Sequence, residues 1–341
     1  MGDRTGVYGW TTGRGGVPYF RIFEPLRVLQ QLGYVAQHGP QLDDDVLSTV
    51  DTIVVDKLWD REASVAWERL ARLGTHRLVI DVDDWVWGPD WKPMMEGWSP
   101  DALAQLFRNV AAAHVVTTTT PQIAEYLTRY NPNVWIVPNT VPEWLLDAKP
   151  RSLALNMDDG PAPAIVYEGS PSHQRDWTHS SAGKHLWHFL REHPDWEVQW
   201  FGTDPAGLPG AFPGRVAVHP WRENVDDHLW SVAENTAPGD VMIGPLRDTP
   251  FNRAKSGLRA IVASALGLVP VLPDMPGYRQ FVEDGMTGRL IRTGQTLRRV
   301  LADVAAEPEW RAAASAAART AAKQWTTEAA IGAWTEAWNS R

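Results

Sequence analysis

Thr249–Asp274 reads TPFNRAKSGLRAIVASALGLVPVLPD, and its second half decides the fold. Ala260–Leu266 is small or aliphatic at every position, with Ser264 its one hydroxyl, as a helix buried among neighbours would be, and the chain then returns at once through GLVPVLPD, a buried strand. A buried helix that hands over to an apolar strand is the repeating unit of a parallel α/β sheet. The first half raises another question. Arg253, Lys255 and Arg259 crowd the start of that helix, where unpaired N–H groups already carry partial positive charge. Cations there repel the dipole unless an anion is expected. Arg253, Lys255 and Ser256 therefore read as an anion site made of side-chain charge, backbone N–H and dipole together, with a diphosphate as its natural occupant. The alternative, a solvated basic patch, fits poorly with a helix that runs on into core.

Outward from this stretch the same alternation repeats. The first half reads as strands at Gly6–Trp10, Tyr34–His38, Thr52–Asp56, Arg77–Asp81, His114–Thr118 and Val134–Val137, the second as strands at Ala164–Glu168, Glu197–Phe201, Arg215–His219, Asp240–Ile243, Val269–Leu272 and Arg289–Ile291. Helical patterns lie between them. Glu143–Ala164, rich in Pro, Gly and Asp, has no clear periodicity and reads as a linker. The expected organisation is a first domain over 1–145, a linker over 146–163, a second domain over 164–322 and a terminal helix over 323–341 with Trp334 and Trp338 on one face. Two doubly wound Rossmann-like domains place ligands at the carboxyl ends of their strands, in a central cleft.

A chain of 341 residues exceeds what one core usually supports, which agrees with two domains. It contains no cysteine, so disulfides, thiolate metal sites and cysteine nucleophiles are excluded and a cytoplasmic setting is expected. No apolar run reaches the roughly 20 residues that span a bilayer. A net charge of −9 disfavours non-specific nucleic-acid binding as the main activity. The 19 Trp are far above ordinary usage. Several, such as Trp85, Trp87, Trp91 and Trp98, stand where no helical core is expected, either stacking on sugar rings or pinning irregular loops.

Three further motifs sit at strand ends. Gly13, Gly15 and Gly16 follow the first strand and let backbone approach a phosphate, although a structural tight turn reads equally from the residues. Gly169 and Ser170 close the first strand of the second series, with His173 and Asp176 held over the strand ends, where an imidazole could donate to a phosphate oxygen or simply cap a loop. Asp81, Asp83 and Asp84 leave a buried strand in VIDVDDWVW; such carboxylates could hold a divalent metal, act as base, bind acceptor hydroxyls, or cap a helix.

Taken together, VWIVPNTVP, YEGSPSHQRD, IDVDDWVW, PLRDTPFNRAKSGLR and ALGLVPVLPDMPGYRQFVEDGMTGRLI resemble the GT-B glycosyltransferases, in particular family 4-like enzymes of group 1 and a subgroup found in bacteria and bacteriophages. The resemblance covers most of the chain and is strongest over 164–292. It implies an α/β GT-B fold and transfer of a sugar from a nucleotide diphospho-sugar to an acceptor hydroxyl, without a metal or other cofactor and with retention of anomeric configuration. It places Gly15, Gly16, Arg253, Lys255 and Ser256 at the donor phosphates, Gly169, Ser170 and His173 beside the pyrophosphate, and Trp221 near the base. Asp84 is then a polar acceptor contact, with Asp83 and Trp85 beside it, and Asp84, His173, Arg253 and Lys255 carry the chemistry. One departure stands out: the glutamate that usually holds the ribose hydroxyls corresponds to Val262. The rival readings are a non-catalytic binder of sugars or nucleotide-sugars, a metal-dependent transferase using Asp81, Asp83 and Asp84, and, for the acceptor, a glycan, a protein such as a virion component, or a modified DNA base extruded into the site.

Overall fold

The computed structural model describes residues 6–11, 13, 15–88, 99–148, 162–170, 173–202 and 204–340. Trp91, Trp98 and most of the expected linker lie outside them. Twelve strands form two six-stranded sheets, all pairs parallel. They are β1 (Val7–Trp10), β2 (Ala36–Gly39), β3 (Thr52–Asp56), β4 (Arg77–Asp81), β5 (Val115–Thr118), β6 (Val134–Ile136), β7 (Ala164–Gly169), β8 (Glu197–Gly202), β9 (Val216–His219), β10 (Val241–Ile243), β11 (Val269–Pro273) and β12 (Arg289–Ile291). Every strand expected from the apolar runs is present, displaced at its ends by two residues at most.

The chain divides into two compact units. The first comprises the residues up to Pro142, the short stretch Arg253–Ser256 and the residues from Thr326 onward; the second comprises Glu143–Asn252 and Gly257–Trp325. Sheet order in the first is β2-β1-β3-β4-β5-β6 and in the second β12-β11-β10-β7-β8-β9. In each, winding reverses once, between β1 and β3 and between β7 and β10. Strand carboxyl ends at such a reversal splay apart and leave a crevice for ligands.

In the first unit the chain leaves β1 through Gly15 at φ 98°, a left-handed value that a side chain disfavours, and enters a helix that widens to a π turn over Tyr19–Phe23. The wide turn brings Arg21 into the core with no exposed surface, where it grips Asp81 at the end of β4: Nε donates to Oδ1 at 3.0 Å and Nη2 to Oδ2 at 2.8 Å. Nη1 donates to the Val137 carbonyl at 2.7 Å and to Asn139 Oδ1 at 3.1 Å, and Trp334 lies 4.4 Å from the guanidinium. Gly9 has no Cβ because one would meet Ile22 Cγ2 at 2.3 Å, so β1 and the following helix pack in direct contact.

The helix Thr327–Asn339, capped by Thr326 on the Ala329 N–H, completes this unit. Trp334, Ala337 and Trp338 are buried against Ile22, Leu26, Leu29, Val79 and Val115, and Glu328 accepts from Arg27 at 2.8 Å. In the second unit the core lies among Ile165, Tyr167, Trp177, Leu186, Phe189, Trp200 and the strand residues of β10 and β11. Tyr167 stacks on Trp200 with ring centroids 4.0 Å apart, a pairing suited to adjacent strands sharing one face. Among the described residues no helix is long and apolar enough to cross a membrane.

Candidate functional site

Residues of functional interest gather at the carboxyl edge of each sheet. In the first unit β3 is followed by Lys57, whose φ of 37° is unusual for a residue with a side chain. The turn buries its ammonium and directs it to the Asp83 carboxylate, while its own N–H donates to the Asp81 carbonyl at 2.9 Å. Four consecutive threonines at the end of β5 fix the acidic stretch from the other side. Thr117 Oγ1 donates to Asp81 Oδ2 at 2.6 Å, Thr118 Oγ1 to the Val82 carbonyl at 2.6 Å and Thr119 Oγ1 to the Asp83 carbonyl at 2.9 Å.

The three aspartates thus have three environments. Asp81 is consumed by Arg21 and Thr117 in the core, and Asp83 by Lys57. Asp84 is partly exposed. Burial and the charge of Asp83 raise its pKa from 3.8 to about 6, against the opposing charges of Lys57 and Lys255. A carboxylate that loses its proton near pH 6 suits contact with a reacting hydroxyl near neutrality. Among the described residues no group of three or more His, Cys, Asp and Glu is arranged to hold a metal ion.

The stretch Arg253–Ser256 belongs to this same unit. Thr120 Oγ1 donates to the Ala254 carbonyl at 3.0 Å, and Asn139 Nδ2 to Ser256 Oγ at 2.8 Å. Lys255 is thereby held where its charge acts on Asp84. Arg253 is exposed and ends a four-residue helix, Pro250–Arg253, while the long helix begins only at Leu258. Gly15 and Gly16 lie at the other strand of the switch point, Gly15 accepting from the Tyr19 N–H at 3.3 Å. Trp85 packs against Trp87, with centroids 4.7 Å apart, and Trp87 stacks on Tyr126 at 4.0 Å.

In the second unit the switch point is bridged by Asp176, which lies on the helix Gln174–Thr178 after β7. Asp176 is buried and accepts from Arg247 N at 3.1 Å and from Asn252 Nδ2 at 2.8 Å, both on the segment after β10. His173 Nδ1 is 3.8 Å from its other oxygen. Gly169 ends β7, and Ser170 follows it. Arg259, on the first turn of Leu258–Ala265, donates from Nη2 to the Glu168 carbonyl at 2.8 Å and from Nη1 to the Tyr278 hydroxyl at 3.3 Å. Its Nε is buried and has no hydrogen-bond partner among the described residues.

Glu168 and His228 form a further pair, Oε1 to Nε2 at 3.1 Å. Burial alone would raise the Glu168 pKa, but the hydrogen bond and charge of His228, together with Arg259 and His173, hold it below the ordinary value. Trp221 is exposed, with its ring 4.3 Å from that of His228. Val262 is buried, 2% exposed, among the apolar residues of its helix.

Sequence reasoning singled out Asp84, Lys255, Arg253, Ser256 and His173. It did not assign Lys57, Glu168 or His228. The strand-end position of Glu168 was a usable signal; nothing in the local pattern marks Lys57 or His228, which reach their partners only through sheet order.

No family model matches the sequence, and no curated protein matches it. Among solved structures, sucrose-phosphate synthase from Thermosynechococcus elongatus is similar with a TM-score of 0.67 and 14% identity, covering 98% of both chains. HepE of Anabaena in complex with UDP and glucose is similar with a TM-score of 0.67 and 12% identity over 99% of this chain and 100% of that one. A glycosyltransferase from Rickettsia africae gives 0.63 and 10% over 98% of both. The chain has the α/β GT-B fold of these glycosyltransferases.

Proposed function

We propose that the protein is a glycosyltransferase that moves a sugar from a nucleotide diphospho-sugar to an acceptor hydroxyl. The observation that carries the reading is the switch point of the second unit, where Arg259 is tied to the Glu168 carbonyl just before Gly169 and Ser170 and keeps a buried Nε with no hydrogen-bond partner among the described residues. Backbone-accessible turns with a desolvated cation are what a diphosphate needs. The full-length likeness to glycosyltransferase folds, one of them holding UDP and glucose, supports the same reading.

In this reading the departing diphosphate is stabilised by fixed protein charge. Arg253 and Lys255, with Ser256, Gly15 and Gly16, carry that role, so no cation is required; retention of anomeric configuration is what the family resemblance implies. His173 contacts the donor, and Trp221 offers an aromatic face for the base. Asp84, with Asp83 and Trp85 beside it, accepts the hydrogen bond of the acceptor hydroxyl. Lys57 is a positioning residue: it occupies Asp83 and leaves Asp84 available.

A panel of UDP-, GDP-, ADP- and dTDP-sugars tests the reading by thermal stabilisation, followed by assay of donor hydrolysis and transfer. One donor is expected to raise the melting temperature and to be turned over equally well in EDTA. Arg253→Ala combined with Lys255→Ala should abolish donor binding with the fold intact, and unchanged affinity would refute the phosphate assignment. Metal-dependent turnover would return the three aspartates to a cation site. Binding without turnover of any donor would favour a carrier of nucleotide-sugars, in keeping with an apolar Val262.

A further inference from the structure

Glu168 has no task in the account above, yet its carboxylate is held with care. It ends β7 beside the crevice of the second unit. Oε1 is fixed by His228, whose ring is itself buried and covered by Trp221. Oε2 accepts no hydrogen bond from any described residue, and 19% of the side chain remains exposed. The backbone behind it is equally constrained. A Cβ on Gly202, at the end of the neighbouring β8, would stand 2.2 Å from the Gly169 carbonyl and 3.2 Å from the Trp221 ring, so only glycine lets the two strand ends and the indole close up. Arg259 is tied to the Glu168 carbonyl, and its Nε has no hydrogen-bond partner among the described residues.

One sheet edge therefore carries an ionised carboxylate with an open oxygen, an exposed indole face and a guanidinium with an open N–H. A nucleoside diphosphate presents the matching groups: a vicinal diol, a flat base and an anionic diphosphate. We infer that Glu168, oriented by His228, is the carboxylate that accepts hydrogen bonds from the two ribose hydroxyls of the donor nucleotide, and that it makes the site select ribonucleotides over 2′-deoxyribonucleotides. The inference rests on the transferase reading and adds a specificity determinant to it. Carboxylate acceptors suit hydroxyl donors because a charge-assisted bond is about twice as strong as a neutral one, and a ligand lacking the hydroxyl leaves the charge without its partner.

Calorimetric titration of UDP, ADP and GDP, each against its 2′-deoxy form, into the wild-type protein and Glu168→Gln tests it. The wild type should bind its preferred ribonucleoside diphosphate at least about tenfold more tightly than the deoxy form. Glu168→Gln should bind the two within twofold of each other, with affinity for the deoxy form unchanged. A loss of fold would instead weaken both ligands together. If that variant does not fold, Glu168→Asp, which keeps the charge but withdraws it by one methylene, should show a reduced preference.

Retention of the full preference in a folded Glu168→Gln would overturn the assignment. So would a wild type that ignores the 2′-hydroxyl of the nucleotide but loses affinity when the transferred sugar is deoxygenated, since Glu168 would then serve the hexose diol. Failure of the wild type to bind any ribonucleoside diphosphate would remove the transferase reading itself and the inference with it.

Discussion

Replacing Asp84 by Asn should stabilise the protein and, on the transferase reading proposed above, slow sugar transfer. Its pKa lies near 6 in the folded chain against an ordinary 3.8, so folding binds the proton more tightly than the unfolded chain does. The stability associated with that raised value is present below about pH 4 and lost as pH rises through 6. Asn removes the penalty of a poorly solvated charge, on the order of 1–2 kcal/mol once partial exposure and coupling to Asp83 are discounted. Melting curves should show a gain of a few degrees at pH 8 and none at pH 4; equal gains at both would contradict the assignment of strain to the charge. Transfer by the wild type should fall as pH drops below 6, because the acceptor hydroxyl then meets a protonated carboxyl. Single residues of this kind were only partly legible in the sequence. Arg253 and Lys255 stood out because the sequence reads them into the start of one helix, although that helix begins only at Leu258 and Arg253 ends the one before it, and Asp84 because three carboxylates leave one strand. Which of the three is free was not legible, since Arg21 and Lys57 are 60 and 26 positions away from their partners in the chain.

At the scale of strands and helices the reading was nearly complete. The inner strands, largely buried on both faces, are written as short apolar runs, whereas the edge strands β2, β6, β9 and β12 are partly exposed and were legible from their place in the alternation. What sequence periodicity lacks is lateral order. Glu168 and Arg259 meet because β7 and β10 are neighbours, and Glu168 and His228 meet because the helix Val225–Glu234 packs behind the same edge. Gly202 shows how tightly that edge is built. It holds φ 102° and nearly touches Gly169, so Gly202→Ala combines left-handed strain with a backbone clash and should cost about 2–4 kcal/mol. Chemical denaturation should register a lower midpoint with unchanged slope, and nucleotide affinity should fall with it. A variant as stable as the wild type would mean that the strand ends separate easily and that Trp221 does not depend on their closure. The buried Arg21–Asp81 pair makes the corresponding demand in the other sheet, where removing either partner alone would leave an uncompensated charge, at about 3–5 kcal/mol.

Seen whole, the chain returns to its beginning. The helix Thr327–Asn339 closes the core of the first unit with Trp334 and Trp338, so ending the chain at Trp325 should expose Ile22, Leu26 and Val79 and destabilise that unit while the second retains its own core. Two-phase unfolding of such a truncation, with proteolysis confined to the first 142 residues, is the expected outcome; cooperative unfolding at the wild-type temperature would show the terminal helix to be dispensable. The same arrangement sets a timetable during synthesis. The ribosome makes the stretch from 143 to 325 after nearly all of the first unit and before its last helix, an interval of roughly 10–40 s at ordinary elongation rates. Throughout it the nascent first unit presents an uncovered apolar groove, whereas the second unit has almost all of its residues in one run and can close as it emerges. The half of the protein made first is thus finished last, and chaperone occupancy on a translating ribosome should be greatest on the part that has been outside the exit tunnel longest.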